Sequence, residues 1–94
     1  MSVAETMRVK LSERFAPTRL VIVDDSERHA GHAGARPGGE THFTVTIVSP
    51  AFAGLNRVAR QRLVYGTLAA EIAGGVHALS LTTLTPDEDL GELR

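Results

Sequence analysis

The sequence predicts an α+β domain in which helices pack on one face of a three-stranded mixed sheet, in the order α-β-β-α-α-β-α. Three observations predict it. Residues 19–24 and 41–49 are β-branched runs of strand length separated by a glycine-rich stretch, so they pair as antiparallel neighbours. A long segment with the 3.6-residue period of a helix follows them. A further β-prone run comes only after that segment, so the third strand enters the sheet through a helical crossover.

Each element has its own signal. Ser2-Val3-Ala4-Glu5 is a capping-box pattern, and Ala4, Met7, Leu11 and Phe15 recur at helical spacing behind it. Ala16-Pro17 ends this helix, because proline pushes the residue before it out of the α region. Arg19 to Asp24 reads as the first strand. Residues 26–40 hold four glycines and a proline and form a flexible loop. From Thr41 to Ser49 the alternation is clean: Phe43, Val45 and Ile47 share one face, and His42, Thr44 and Thr46 share the other. Ser49-Pro50 reads as an N-cap with proline at the first helical position, giving a short turn closed at Gly54. One long helix is expected from Asn56 to Ala73. Val58, Tyr65, Leu68, Ala69 and Ile72 line one face, while Leu63 falls on the outer one. Gly74-Gly75 stops it. Val76 to Thr83 is the third strand, and Thr85-Pro86-Asp87-Glu88 starts a short acidic helix over about residues 85–92.

With 94 residues the chain is expected to be a single domain, residues 1–94, and its composition is globular at 43% hydrophobic and 22% charged. No apolar run is long enough to span a bilayer, and the first fifteen residues lack the apolar core of a secretory signal, so a cytoplasmic protein is expected. A net charge of −1 speaks against a strong, sequence-independent grip on nucleic acid. The chain has no cysteine, which removes disulfides, thiol catalysis and any all-cysteine metal site. Any metal ligands of its own are His, Asp or Glu. No nucleophile elbow or oxyanion hole is recognisable, so the protein is not expected to be an enzyme.

The histidines carry the most chemistry. His29 and His32 form a His-Ala-Gly-His pattern in the glycine-rich loop, which suits presentation to a partner, zinc binding or plain solvated polarity. His77 shares strand parity with Leu79 and Leu81, so by spacing alone it is a half-buried histidine at the sheet edge. His42 has the opposite parity to Phe43, Val45 and Ile47, so it is a structural or open-face group whose ring points away from His77. Arg57, Arg60 and Arg62 are the one basic cluster. They suit a solvated face paired to Glu71, contact with phosphate, or docking of an acidic partner. Leu63 beside them suits protein contact.

Five segments in order resemble the BolA family, whose fold is similar to the class II KH module. They are Val23-Asp24-Asp25-Ser26 with His29, Glu40-Thr41-His42-Phe43, Phe52-Ala53-Gly54, Arg60-Gln61-Arg62-Leu63-Val64-Tyr65, and Val76-His77-Ala78-Leu79-Ser80-Leu81. The resemblance spans about residues 4–86 and implies a heterodimer with a monothiol (CGFS) glutaredoxin around a shared [2Fe-2S] cluster. The glutaredoxin and its glutathione supply thiolates. His77 and one loop histidine, His29 ahead of His32, supply imidazoles. Alone, the protein is expected to carry no cofactor and to be a monomer or weak dimer. The implied roles are cluster trafficking or iron sensing. Stress-linked transcriptional regulation through weak DNA binding is the alternative, although the stretch Gly54-Leu55-Asn56-Arg57 lacks the second glycine of a KH phosphate loop. Histidine ligation raises a cluster's potential above all-cysteine ligation.

Overall fold

The computed structural model describes residues 2–25 and 42–89. Helix α1 covers Val3–Phe15, strand β1 Arg19–Asp24, strand β2 His42–Val48, helix α2 Arg57–Thr67, helix α3 Ala69–Ala73 and strand β3 Ala78–Leu84, with 3-10 turns at Pro50–Phe52 and Pro86–Glu88. The sheet order is β1-β2-β3, with β1 antiparallel and β3 parallel to the central β2. This is the expected α+β class with a mixed sheet.

The core lies on one face of the sheet. Phe43, Val45 and Ile47 of β2 are buried against Met7, Leu11 and Phe15 of α1 and against Val64 and Leu68 from the helical crossover. The Phe15 and Phe52 rings meet with centroids 5.2 Å apart, which closes the end of the core under the first 3-10 turn. On the opposite face Thr44, Ser80 and Thr82 are exposed and His42 and Thr46 half-buried, as the alternation requires.

Two helix starts follow their signals. The Ser2 hydroxyl accepts the Glu5 amide at 3.1 Å, and the Asn56 side chain accepts the Ala59 amide at 2.9 Å. Ser49 does more than cap. Its wholly buried hydroxyl accepts the Ala51 amide at 3.0 Å and donates to the Phe15 carbonyl at 2.6 Å, while its own amide donates to the Leu84 carbonyl at 2.9 Å. One side chain thus satisfies an orphan carbonyl at the end of α1 and an orphan amide at the start of the turn.

Four expectations need correction. The long helix is broken at Leu68 (φ −101°, ψ 16°), where Gly66 weakens the last turn of α2 and the Thr67 hydroxyl bonds back to the Leu63 carbonyl at 2.8 Å. The helix is also turned the other way. Val64 and Leu68 are buried and Leu63 packs against the core, whereas Val58, Tyr65 and Ile72 are exposed. Strand β3 starts at Ala78 rather than Val76, because Gly75 (φ +137°) turns the chain and the Val76 amide still donates to the Glu71 carbonyl of α3. The acidic segment after Thr85 is a 3-10 turn that leaves helical geometry at Asp89, whose carboxylate Arg19 holds in two hydrogen bonds of 2.9 and 2.6 Å. Residues 90–92 of the expected helix lie outside the described residues.

Removing the Ser49 hydroxyl strands the Phe15 carbonyl in a dry core. Ser49→Ala is expected to lose about 1–3 kcal/mol in urea unfolding, whereas the exposed Arg62→Ala should lose less than about 0.5 kcal/mol. Equal losses would mean that the buried hydroxyl adds nothing.

Candidate functional site

Both strand pairings bring the chain to one end of the sheet. Chain direction puts the end of β1 and the starts of β2 and β3 there, since Asp24 lies opposite Phe43 and His42 lies opposite Ala78. His77, the residue before Ala78, therefore sits beside His42, and their ring centroids are 6.4 Å apart. The expectation that the two imidazoles point apart is wrong. It assigned His77 a strand parity, but His77 is exposed and precedes the strand, so the alternation of Leu79 and Leu81 does not extend to it.

The corner is braced on its β1 side. The Asp25 amide donates to the His42 carbonyl at 2.8 Å, and the Thr44 hydroxyl donates to the Asp25 carboxylate. The chain leaves β1 at Asp25 and re-enters the sheet at His42, so the segment bearing His29 and His32 is attached to this corner at both ends. Those two histidines lie outside the described residues.

The corner offers two imidazoles beside each other near the surface and, among the described residues, no cluster of three or more His, Cys, Asp or Glu able to hold an ion. The chain has no thiolate to add. His42 is the residue that sequence reasoning set aside. Only the parallel register, which spacing within one strand does not encode, could have promoted it.

The basic cluster divides. Arg60 is engaged within the fold: its guanidinium donates to the Leu55 carbonyl at 2.9 Å, to the Thr83 carbonyl at 3.1 Å, and to both Glu88 oxygens at 2.6 and 3.3 Å. It ties the start of α2 to β3 and to the last described turn. Leu63 packs toward the core rather than outward. Glu71 does not serve the cluster either, because it pairs with Lys10 of α1 at 2.7 Å. Arg57 and Arg62 remain exposed and form no ion pair among the described residues.

The comparisons with known proteins agree with this fold. The sequence model of the BolA-like protein family matches residues 11–88. Among curated relatives, "Protein BOLA1, chloroplastic" of Arabidopsis thaliana is 52% identical over 87 residues, which are 90% of this chain and 54% of that protein. The chain thus spans about half the length of that relative. "DNA-binding transcriptional regulator BolA" of Vibrio cholerae is 43% identical over 92% of this chain and 77% of its own length. Among solved structures, BolA1 from Arabidopsis thaliana superposes with a TM-score of 0.83 at 45% identity, covering 95% of this chain and 98% of that one.

The Arg60–Glu88 clamp is acid-sensitive. Hydrogen bonds first from Arg60 and then from the Thr85 amide hold the Glu88 carboxyl down from 4.5 to about 2, and Arg19 lowers Asp89 in the same direction. A depressed carboxyl stabilises the fold above its unfolded value of 4.5 and stops doing so as pH falls towards 2. The parent protein should therefore lose melting temperature across that window, and Glu88→Gln should show a shallower fall. Parallel curves would show that the clamp is not linked to pH.

Proposed function

The chain belongs to the BolA-like protein family, and from that premise we propose that it is a non-enzymatic iron–sulfur adaptor. Its partner is a monothiol glutaredoxin carrying glutathione, and the pair shares a [2Fe-2S] cluster in trafficking or iron sensing. The observation that carries the reading is the His42–His77 corner: two imidazoles 6.4 Å apart on a chain that has no cysteine. Such a site needs thiolates from another molecule. Thiolate cysteine and glutathione sulfur supply them in this reading, and the cluster when bound provides one-electron and transfer chemistry.

The residues of this chain act by holding and orienting. His77 is the first ligand, presented by the turn at Gly75 ahead of a strand whose register is fixed by β2. The second imidazole comes from His29 or His32, or from His42, which the sequence alone had ranked as structural. The bond between the Asp25 amide and the His42 carbonyl keeps the root of that loop beside His77.

A second reading is DNA binding, favoured by the name of the Vibrio cholerae relative. Physical chemistry weighs against a non-specific grip. With Arg60 committed to Glu88, two arginines remain to touch phosphate, and the slope of log K against log salt would be about −1.8. The loop before α2 also spends its polar groups internally, with Asn56 capping its own helix and the Leu55 carbonyl accepting from Arg60.

Reconstitution with a CGFS glutaredoxin, glutathione, iron and sulfide tests the leading reading. The protein alone should stay colourless, and the mixture should give a coloured heterodimer whose visible circular dichroism differs from that of the glutaredoxin homodimer. His77→Ala should change that spectrum and speed cluster loss without altering the fold. Loss in His42→Ala exceeding that in both His29→Ala and His32→Ala would place the second ligand on β2, and His29→Ala is otherwise expected to outweigh His32→Ala. Indistinguishable complexes from parent and His77→Ala would overturn the assignment.

For the second reading, a mixed-sequence duplex should bind weakly and release by physiological salt. Tight binding that survives such salt and disappears in Arg57→Ala/Arg62→Ala would put DNA recognition first.

A further inference from the structure

We infer that the outer face of α2 and α3 is the docking surface for the protein that completes the histidine corner, and that this partner presents apolar side chains bordered by carboxylates. The inference rests on the shared-cluster reading and adds the surface that holds the two proteins together.

The first observation is an exposed apolar line. Six large apolar side chains are exposed among the described residues, and three of them, Val58 (55%), Tyr65 (39%) and Ile72 (36%), belong to α2 and α3. Single exposed apolar residues are ordinary. These three are not scattered. With Arg62 and Ala69, both exposed, they occupy positions 58, 62, 65, 69 and 72, a spacing of four, three, four and three. That spacing sets Val58, Arg62 and Tyr65 in one stripe on α2, and Ala69 and Ile72 share a face of α3 beyond the break at Leu68, the pattern through which a helical face meets a partner. The core does not use it, because Val64, Leu68 and Leu63 point the other way.

The second observation is charge. Within residues 57–73 the only acidic side chain is Glu71, and Lys10 neutralises it from α1 at 2.7 Å. Glu88 neutralises Arg60 at 2.6 Å. The exposed charges left on α2 are Arg62 within the stripe and Arg57 at the start of the helix, so a chain of net charge −1 carries a locally cationic and apolar helix. An acidic rim around an apolar patch complements it.

The third observation is continuity with the corner. The Ile72 end of the stripe adjoins the turn that presents His77, through the Gly75 amide on the Ile72 carbonyl at 3.4 Å and the Val76 amide on the Glu71 carbonyl at 3.2 Å. Tyr65 is fixed against the outer edge of β3 by its hydroxyl on the Leu79 carbonyl, two residues beyond His77. A partner seated on Tyr65 and Ile72 is thereby set next to the imidazoles.

The test is a calorimetric titration of the protein with a cluster-free CGFS glutaredoxin in glutathione, followed by cluster reconstitution of each mixture. Val58→Ser/Ile72→Ser should weaken the cluster-free complex at least tenfold with an unchanged melting temperature. Arg57→Glu/Arg62→Glu, which leaves the apolar stripe intact, should weaken it and abolish its salt dependence. Val9→Ser, an equally exposed position at 42% on α1, should leave affinity unchanged. If the parent binds and shares a cluster while both double variants bind as tightly, the surface assignment is overturned and the adaptor reading stands. Equal weakening by Val9→Ser would overturn the assignment too. Failure of the parent to bind or to share a cluster would overturn both.

Discussion

The parallel register between β2 and β3 is the constraint from which the rest of this molecule follows. A parallel neighbour cannot be reached by a hairpin, so the chain must leave one end of the sheet and return to the other by way of helices. Those helices then have to lie on a face, and the alternation of β2 leaves only the side of Phe43, Val45 and Ile47 apolar enough to receive them. The same register starts β2 and β3 at one end. His42 lies opposite Ala78, so the residue preceding Ala78 is delivered to the His42 ring. In an antiparallel pairing the two histidines would stand at opposite ends of the sheet and there would be no corner.

At the far end of the sheet the demands are structural. Ser49 joins the last carbonyl of α1, the first 3-10 turn and the end of β3 in one buried polar knot. Arg60 and Arg19 then fasten the segment after β3, through Glu88 and Asp89. Arg60 also occupies the Thr83 carbonyl, and Tyr65 occupies that of Leu79, so side chains of α2 cover carbonyls along the outer edge of β3. Shielding an edge in this way discourages unwanted strand pairing. The contacts of Ser49, Arg60 and Arg19 thereby gather at the end of the sheet away from the His42–His77 corner.

The crossover helices show how a small domain divides its apolar residues. The segment from Arg57 to Ala73 carries more apolar side chains than one buried face can hold. Val64, Leu68 and Leu63 go to the core and Val58, Tyr65 and Ile72 stay outside. Periodicity grouped Leu68 with Val58, Tyr65 and Ile72, put Leu63 outside and passed over Val64, whereas Val64, Leu68 and Leu63 are the ones that meet the core. A helix with two apolar stripes has no internal mark of which one faces the sheet. Packing volume decides, because the Val64 and Leu68 turn is the one that meets Phe43 and Phe52 in the core cluster.

By itself the sequence determined the elements and their class. Caps at Ser2 and Ser49, proline at 17 and 50, and glycine at 75 are local instructions read over a few residues, and they set where helices and strands start or stop. The absence of cysteine likewise settled that any ligands are not thiolates. Only the tertiary structure decided what each chemical group faces. It took Arg60 out of the basic cluster and gave it to Glu88, 28 residues away, turned α2, and set His42 beside His77 across a gap of 35 positions. The physical reason is the range of the signals. Caps and periodicity act within a few residues of backbone, whereas register, ion pairing and ring proximity are set by contacts between segments that have no fixed offset along the chain.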